Sequence, residues 1–225
     1  MFTIYEVYNN IPFDPKVKPD FGYSCFIEEA GILFDAGSKG DVLLANMKKL
    51  GISADQVRYF ALSHDHWDHN GGIGAVLDEN PEIICYCPPD TSAETRSVLE
   101  KGAECIVAED WLELSPGAFL TGPVEGIYSD SRIYEQSVVL ESEKGLFLIT
   151  GCSHPHISKI TGHVRERGEI FGVMGGFHDV DEADISSLEG IEYLAPSHCT
   201  TAIEDIAARF PDKFHRSGVG FIHRI

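Results

Sequence analysis

The stretch His64-Asp65-His66-Trp67-Asp68-His69 places three imidazoles and two carboxylates within six residues, directly after the apolar run Tyr59-Phe60-Ala61-Leu62. Imidazole and carboxylate groups are ligands that suit zinc, iron and manganese. The apolar run predicts a buried strand. The stretch therefore predicts a metal site at a strand end that the core holds in place.

The spacing within this stretch favours two metal ions. Side chains two residues apart in an extended chain point to the same side, so His64 and His66 can hold one ion. Asp68 and His69 follow where the chain turns into the next helix, and this offset suits a second ion close by. Gly71-Gly72 lets the backbone approach the site, because glycine has no Cβ.

Three later histidines also follow apolar strands. His154 comes after the predicted strand 146–150, His178 after strand 170–174, and His198 after the strand that ends at residue 195. Loops at strand ends are where α/β scaffolds place their chemistry. We therefore expect His154 and His198 to be ligands, and His178 to be either a ligand or a group that faces the substrate. The other histidines are expected at a helix start (His156) or at surface and terminal positions (His163, His215 and His223).

Hydrophobic periodicity and turn residues predict alternating strands and helices. Predicted strands cover residues 2–8, 23–27, 31–35, 58–62, 83–87, 137–140, 146–150, 170–174, 191–195 and 221–223. Predicted helices cover residues 40–50, 72–77, 91–101, 157–167 and 202–210. Thr91 is the predicted N-cap of its helix, with Glu94 completing a capping box. This order indicates an α/β protein of two packed sheets with helices outside, in one domain spanning residues 1–225.

Composition excludes several kinds of partner. With 36 acidic and 17 basic residues the net charge is −19, and nucleic-acid binding depends on clustered Lys and Arg. The same charge argues against binding to an anionic membrane surface. We see no signal peptide and no apolar stretch long enough to span a bilayer. The six cysteines form no C-x-x-C pair, and we expect reduced thiols, mostly in the core, of a cytoplasmic protein.

The HxHxDH run after a strand, with histidines at later strand ends, resembles the metallo-β-lactamase superfamily. This resemblance implies a four-layer αββα sandwich with a dinuclear metal site at one edge, formed by His64, His66, Asp68, His69, His154 and His198. Asp35, in Ile32-Leu33-Phe34-Asp35-Ala36-Gly37, matches the early aspartate that braces the family's site through hydrogen bonds to ligands.

A narrower resemblance is to the branch named for 7,8-dihydropterin-6-methyl-4-(β-D-ribofuranosyl)aminobenzene-5′-phosphate synthase, which is linked to methanopterin biosynthesis. Four segments carry it: Tyr134-Glu135-Gln136-Ser137-Val138-Val139, Ile149-Thr150-Gly151-Cys152-Ser153-His154, Gly175-Gly176-Phe177-His178 and Ser197-His198-Cys199-Thr200.

This chain departs from the family at two places. The superfamily usually has an aspartate that bridges both metals where this chain has Gly175-Gly176-Phe177-His178. Either His178 or Asp179 takes that place, or a water or hydroxide bridges alone. The chain is also shorter than typical branch members between His69 and His154, a region that often carries substrate contacts. This difference argues against the pterin substrate more than against the metal chemistry.

The resulting hypothesis is hydrolysis of a small-molecule ester, foremost a phosphoester or pterin-related phosphate, by metal-activated water. We expect two zinc ions per chain, although iron and manganese accept the same ligands. Asp68 is expected to orient the water or receive its proton, and His178 to donate to an oxyanion or a substrate phosphate.

Two other functions remain open. One is a di-iron redox enzyme, although such members carry glutamate where this chain has His66. The other is a non-catalytic sensor that uses the metal to hold a small ligand.

Overall fold

A computed structural model describes all 225 residues and contains fifteen strands and seven α-helices. The strands are β1 (Thr3–Asn9), β2 (Tyr23–Ile27), β3 (Ile32–Phe34), β4 (Tyr59–Ala61), β5 (Ile84–Cys87), β6 (Glu104–Val107), β7 (Leu112–Ser115), β8 (Ala118–Leu120), β9 (Val124–Tyr128), β10 (Ser131–Glu135), β11 (Val138–Ser142), β12 (Gly145–Thr150), β13 (Ile170–Gly176), β14 (Tyr193–Ser197) and β15 (Ile222–Arg224). The helices are α1 (Gly40–Lys49), α2 (Trp67–Asn70), α3 (Ile73–Glu79), α4 (Ala93–Leu99), α5 (Ile157–Arg165), α6 (Glu182–Ser187) and α7 (Ile203–Arg209).

The strands form two large sheets and one separate hairpin. The first sheet has the order β15-β1-β2-β3-β4-β5-β6, and the second has the order β14-β13-β12-β11-β8-β7. Strands β3 to β6 are parallel to one another, as are β12 to β14, while the other pairs are antiparallel. Strands β9 and β10 pair only with each other.

Three apolar layers hold the sheets and helices together. One layer lies between the sheets and includes Phe34 and Phe147. A second joins the first sheet to α1 and α3, and a third joins the second sheet to α5 and α7. Burying both faces of each sheet in this way gives four layers. The predicted αββα sandwich is therefore confirmed.

Glycines allow the close approaches around the strand ends. A Cβ at Gly72 would collide with the carbonyl oxygen of Ala36, and one at Gly151 would collide with the side chain of Ser63. Because glycine lacks this atom, the segment after β12 lies directly against the segment after β4. These two segments carry most of the clustered histidines.

Several sequence predictions were wrong or incomplete. Strands β6 to β10 and helices α2 and α6 were not predicted; β9, for example, is partly exposed and carries a glycine, so its alternation is weak. The cap of α4 is Ser92, whose Oγ accepts from the Thr95 N–H at 3.2 Å. Thr91 instead donates its hydroxyl to the Pro88 carbonyl.

His223 is also not the surface residue that its terminal position suggested. It is 1% exposed, and its Nε2 lies 2.9 Å from Oε1 of the buried Glu6. A buried carboxylate needs hydrogen-bond donors. The imidazole of His223 on β15 supplies one to Glu6 on β1.

Candidate metal centre

The predicted site residues meet at the carboxyl ends of strands from both sheets. His64 and His66 follow β4, and Asp68 and His69 lie on the short helix α2. His154 follows β12, and His198 follows β14. Parallel strands end at the same edge of a sheet, so side chains distant in sequence lie next to one another.

The first group of ligand atoms comes from His64, His66 and His154, and these atoms lie within 4.8 Å of one another. His64 Nε2 is 3.0 Å from His66 Nδ1. The His154 ring lies 4.8 Å from that of His64 and 4.9 Å from that of His66. Both ring nitrogens of His154 are buried and lack a hydrogen-bond partner.

The second group comes from Asp68, His69 and His198, again within 4.8 Å of one another. The Nε2 atoms of His69 and His198 are 3.2 Å apart. Asp68 Oδ2 lies 3.8 Å from the first of these nitrogens and 3.4 Å from the second. The two groups are neighbours, since the rings of His64 and His69 are 4.2 Å apart.

Polar side chains behind the cluster fix the orientation of three imidazoles. Asp35 accepts from the backbone N–H and the hydroxyl of Ser63 at 2.7 and 2.8 Å. Ser63 Oγ lies 2.8 Å from His64 Nδ1, and Asp35 Oδ2 lies 2.7 Å from His69 Nδ1. Asn10 Oδ1 lies 2.7 Å from His198 Nδ1. Each Nδ1–H therefore donates to this outer layer, which leaves each Nε2 facing the cluster.

Burial and neighbouring charges shift the pKa values of the clustered groups. Burial, together with the nearby His178 and His66, lowers the pKa of His154 to about 3. Burial would also lower the pKa of His69, but the Asp35 carboxylate raises it to about 9. Burial would raise the pKa of Asp68, but the neighbouring imidazoles of His198 and His69 outweigh burial and lower the pKa to about 2. At neutral pH Asp68 is ionised and His154 is neutral, as metal ligands must be, whereas His69 has to release a proton before it can bind a cation.

The donor set fits a pair of divalent cations. Buried polar atoms are normally hydrogen-bonded, yet His154 leaves both ring nitrogens without a partner. Nitrogen atoms that face one another at 3.0 to 3.2 Å need a proton or a cation between them. Three imidazoles in one group, and two imidazoles with a carboxylate in the other, match the ligand chemistry of catalytic zinc sites.

His178 lies at the edge of the cluster rather than between its two groups. Its ring is 4.6 Å from that of His154, and its Nδ1 is 3.2 Å from Oδ2 of Asp179. The Asp179 side chain is 77% exposed. Neither residue belongs to a group of clustered ligand atoms. His178 instead lines a small cavity of about 60 Å³ together with Tyr128, His154 and His156.

Two carboxylates that are not clustered ligands support the segments that carry the histidines. Asp65 accepts from the Ser92 N–H and from the Asn70 amide, both at 2.7 Å. The buried Glu135 accepts from three consecutive N–H groups, those of Cys152, Ser153 and His154. Burial raises the pKa of Glu135, and these three donors oppose that shift.

Aromatic side chains flank both ends of the cluster. Phe21 stacks on Trp67 with ring centroids 5.7 Å apart and lies 5.5 Å from the His198 ring. At the other end Tyr128 lies 4.3 Å from the His154 ring and 5.2 Å from that of His66. All three aromatic residues are partly exposed, so they offer ring faces to a molecule entering the site.

Sequence reasoning missed several residues of this region. Ser63 directly precedes the HxHxDH run, and that position was a usable signal. Asn10 and Tyr128 lie in segments with no motif, so no local pattern pointed to them. Cys152 was interpreted as a core filler, yet its Sγ lies 3.1 Å from His69 Nε2.

None of the helices combines the length and apolar character that a membrane crossing requires.

Comparison with known proteins identifies the family. The family model of the metallo-beta-lactamase superfamily matches residues 17–198. The chain is 28% identical to the 7,8-dihydropterin-6-methyl-4-(beta-D-ribofuranosyl)-aminobenzene-5'-phosphate synthase of Methanocaldococcus jannaschii, over 85% of this chain and 83% of that protein.

Two solved structures share the whole architecture. A metal-dependent hydrolase of the beta-lactamase superfamily superposes with a TM-score of 0.82 at 25% identity, covering 100% of this chain and 99% of the other. The metallo-beta-lactamase fold protein YhfI of Bacillus subtilis has a TM-score of 0.66 at 15% identity, covering 99% and 98%. This chain therefore belongs to the metallo-beta-lactamase superfamily, and the prediction of an enzyme with that family's hydrolase fold is confirmed.

Proposed function

We propose that this protein is a hydrolase that holds two divalent cations, zinc foremost, and cleaves a small-molecule phosphoester. One cation belongs with His64, His66 and His154, and the other with Asp68, His69 and His198. The observation that carries this proposal is His154, whose two ring nitrogens are buried among other imidazoles without any partner. Such a group is costly to bury unless it binds something.

A bound divalent cation lowers the pKa of a water molecule and polarises a carbonyl or phosphoryl oxygen. Asp68 has a pKa of about 2, so it is a poor proton acceptor at neutral pH. The proposed role of Asp68 is to bind a cation and to orient the water molecule. The Asp68 side chain is 11% exposed, so one face of the carboxylate remains available to a water molecule.

His178 is the candidate for contacting the substrate. Asp179 accepts from its Nδ1 side at 3.2 Å, which leaves Nε2 for a substrate oxygen. A substrate oxygen in the small cavity that His178 shares with Tyr128 and His154 would lie beside the first group of ligands. A hydrogen bond to charge that develops on the oxygen would favour the transition state.

The substrate class rests on the surroundings of the cluster. Phe21, Trp67 and Tyr128 present partly exposed rings, and aromatic faces favour planar, aromatic groups. The relative from Methanocaldococcus jannaschii is named for a molecule that contains a pterin, an aminobenzene and a phosphate. That name describes a synthase of this molecule, and only the aromatic phosphate character of the named molecule is carried over. We propose an aromatic phosphate ester.

The proposal extends to the setting of the enzyme. With a net charge of −19, the surface repels a nucleic-acid backbone, so the substrate is a small molecule. We propose that the enzyme is cytoplasmic, since its free cysteines suit a reducing compartment. We also propose that the chain forms a single domain.

The test is a substrate screen of the zinc-loaded protein, with His66→Ala as the inactive control. The panel contains aryl and alkyl phosphomonoesters, phosphodiesters, lactones and thioesters. We expect turnover of aryl phosphomonoesters that disappears in His66→Ala and on chelation. Turnover confined to lactones or thioesters would contradict the substrate class. A metal-loaded protein that cleaves none of them would contradict the hydrolase function.

A further inference from the structure

The thiol of Cys152 lies inside the cluster rather than in the core beside it. Its Sγ is 3.1 Å from His69 Nε2, the nitrogen that the Asp35 hydrogen bond turns towards the cluster. Cys152 is 3% exposed. A buried sulfur at this distance from a ligand nitrogen is close enough to bind the same cation.

This sulfur reaches both groups of ligand atoms. Cys152 Sγ lies within 4.8 Å of the ligand nitrogens of His64 and His69, and also within 4.8 Å of that of His198. His64 belongs to the first group, and the other two belong to the second. Cys152 is thus placed between the two groups, where the sequence analysis left the bridging ligand open.

The two side chains that the sequence analysis offered for this place lie elsewhere. His178 packs on the outer side of His154, and the Asp179 side chain is 77% exposed. In the two groups of ligand atoms that form the centre, Asp68 supplies the only carboxylate. A second anion would offset more of the charge of two divalent cations, and thiolate is a ligand that zinc prefers.

Backbone hydrogen bonds to one carboxylate fix the positions of both Cys152 and His154 beside the cluster. Glu135 Oε1 accepts from the Cys152 N–H at 2.8 Å, and Oε2 accepts from the His154 N–H at 3.0 Å. Ser153 between them has a positive φ of 64°, a conformation that is uncommon for residues other than glycine. Such backbone conformations persist where the surrounding structure imposes them.

We propose that the Cys152 thiolate is a metal ligand of this centre, placed between the two cations. The inference rests on the metal centre under the proposed function. Coordination replaces the thiol proton, which leaves to solvent. Cys199 Sγ also lies within 4.8 Å of Cys152 Sγ and of a His198 nitrogen. We assign the ligand to Cys152, because Cys199 Sγ points to the Cys152 carbonyl oxygen at 3.7 Å and the Cys199 side chain is less buried.

The test is zinc X-ray absorption spectroscopy of the full-length, reduced, zinc-loaded protein. We expect a sulfur shell at about 2.3 Å, the usual zinc–thiolate distance. The shell should disappear in Cys152→Ser and persist in Cys199→Ser, which is the matched control. A cobalt-loaded sample should show thiolate-to-cobalt charge-transfer absorption that follows the same pattern.

The wild-type spectrum alone can overturn the assignment, so the test does not depend on how well the variants fold. A bound metal with only nitrogen and oxygen neighbours contradicts the role of Cys152, as does a sulfur shell that Cys199→Ser removes. If such a protein still cleaves its ester, the proposed function stands without Cys152. If the sulfur shell is present and no ester is cleaved, Cys152 stands and the hydrolase function fails.

Discussion

At the scale of single residues, the centre depends on which imidazole nitrogen faces inwards. Ser63, Asp35 and Asn10 each lie 2.7 to 2.8 Å from an Nδ1 atom of a clustered histidine. Because these contacts occupy Nδ1, each Nε2 faces the cluster, and the Nε2 of His69 gives up its proton when a cation binds. Such outer hydrogen bonds fix the tautomer and the orientation of the ring, and losing one typically lowers metal affinity by about 10- to 100-fold.

Asp35→Asn tests this layer. The amide cannot serve as the anionic acceptor for Ser63 and His69, so we expect zinc affinity to fall by about 10- to 100-fold. Competition with a chromophoric chelator measures the change. Asp41→Asn, at an exposed position in the first turn of α1, is the control. Equal affinity of both variants would show that Asp35 does not set the orientation of His69.

The metal-free protein should be most stable near pH 6.5. Burial lowers the pKa of His154 from 6.5 to about 3 and lowers that of His64 as well. Below pH 6.5 the unfolded state therefore binds more protons than the folded state. The free energy of unfolding then decreases as the pH is lowered from 6.5. His69, with a pKa raised to about 9, contributes stability below pH 6.5 that is lost as pH rises through 9.

Urea unfolding of chelator-treated protein at several pH values measures this profile. The acid side should be the steeper one. Five histidines have lowered pKa values (His64, His66, His154, His198 and His215), whereas only those of His69 and His156 are raised. Loading with zinc should flatten the alkaline side and steepen the acid side, because a bound cation keeps its ligands deprotonated in the folded state. A stability that rises steadily from pH 6.5 to 9.5 in the metal-free protein would contradict the His69–Asp35 ion pair.

At the scale of elements, the hairpin of β9 and β10 forms one wall of the site. Ser129 and Asp130 at its tip have positive φ values of 47° and 60°, which is typical of the two-residue turn that matches strand twist. A Cβ at Gly126 would collide with Pro155, so the hairpin lies directly on the segment that carries His154. Tyr128 thereby packs against His154 and His66.

Tyr128→Ala should weaken binding of an aromatic substrate. We expect KM for an aryl phosphate to rise by about 2- to 12-fold, the ratio given by roughly 0.5–1.5 kcal/mol per aromatic pair. Tyr128→Phe should stay near wild type, because it keeps the ring. Ser131 pairs with Tyr128 across the same hairpin and is exposed, and it does not line the cavity, so Ser131→Ala is the control. If both alanine variants raise KM equally, the hairpin acts as a whole and the ring is not the contact.

At the scale of the whole molecule, the αββα layers bring together residues that are far apart in sequence. His64 and His154 come from different sheets, yet they lie in one group of ligands. The core between the sheets includes residues from both halves of the chain. We therefore expect the two halves to unfold together, as a single domain.

The two tryptophans report on this cooperativity. Trp67 lies on α2 beside the first sheet, and Trp111 lies directly before β7 of the second sheet. In metal-free protein, Trp67→Phe and Trp111→Phe each leave one reporter, and we expect fluorescence midpoints in urea to agree once each variant's own stability is measured by circular dichroism. Midpoints that differ between fluorescence and circular dichroism would indicate two independently unfolding halves.

Sequence alone predicted the fold class and all strongly periodic elements, because the buried strands and amphipathic helices leave a clear pattern. It also selected the histidines that the structure brings together, because each follows an apolar strand. It could not find Asn10 or Tyr128, since neither lies in a periodic segment. Cys152 was misjudged because a thiol in a core and a thiol beside a ligand look alike in sequence. For His178 the sequence suggested a ligand, but a position at a strand end does not reveal whether the ring lies among the ligand atoms or beside them.

The most direct test of the metal centre is anomalous diffraction at the zinc edge from crystals of the zinc-loaded protein. We predict two peaks per chain, one among His64, His66 and His154 and the other among Asp68, His69 and His198. Their absence, or a single peak away from both groups of ligand atoms, would contradict the account.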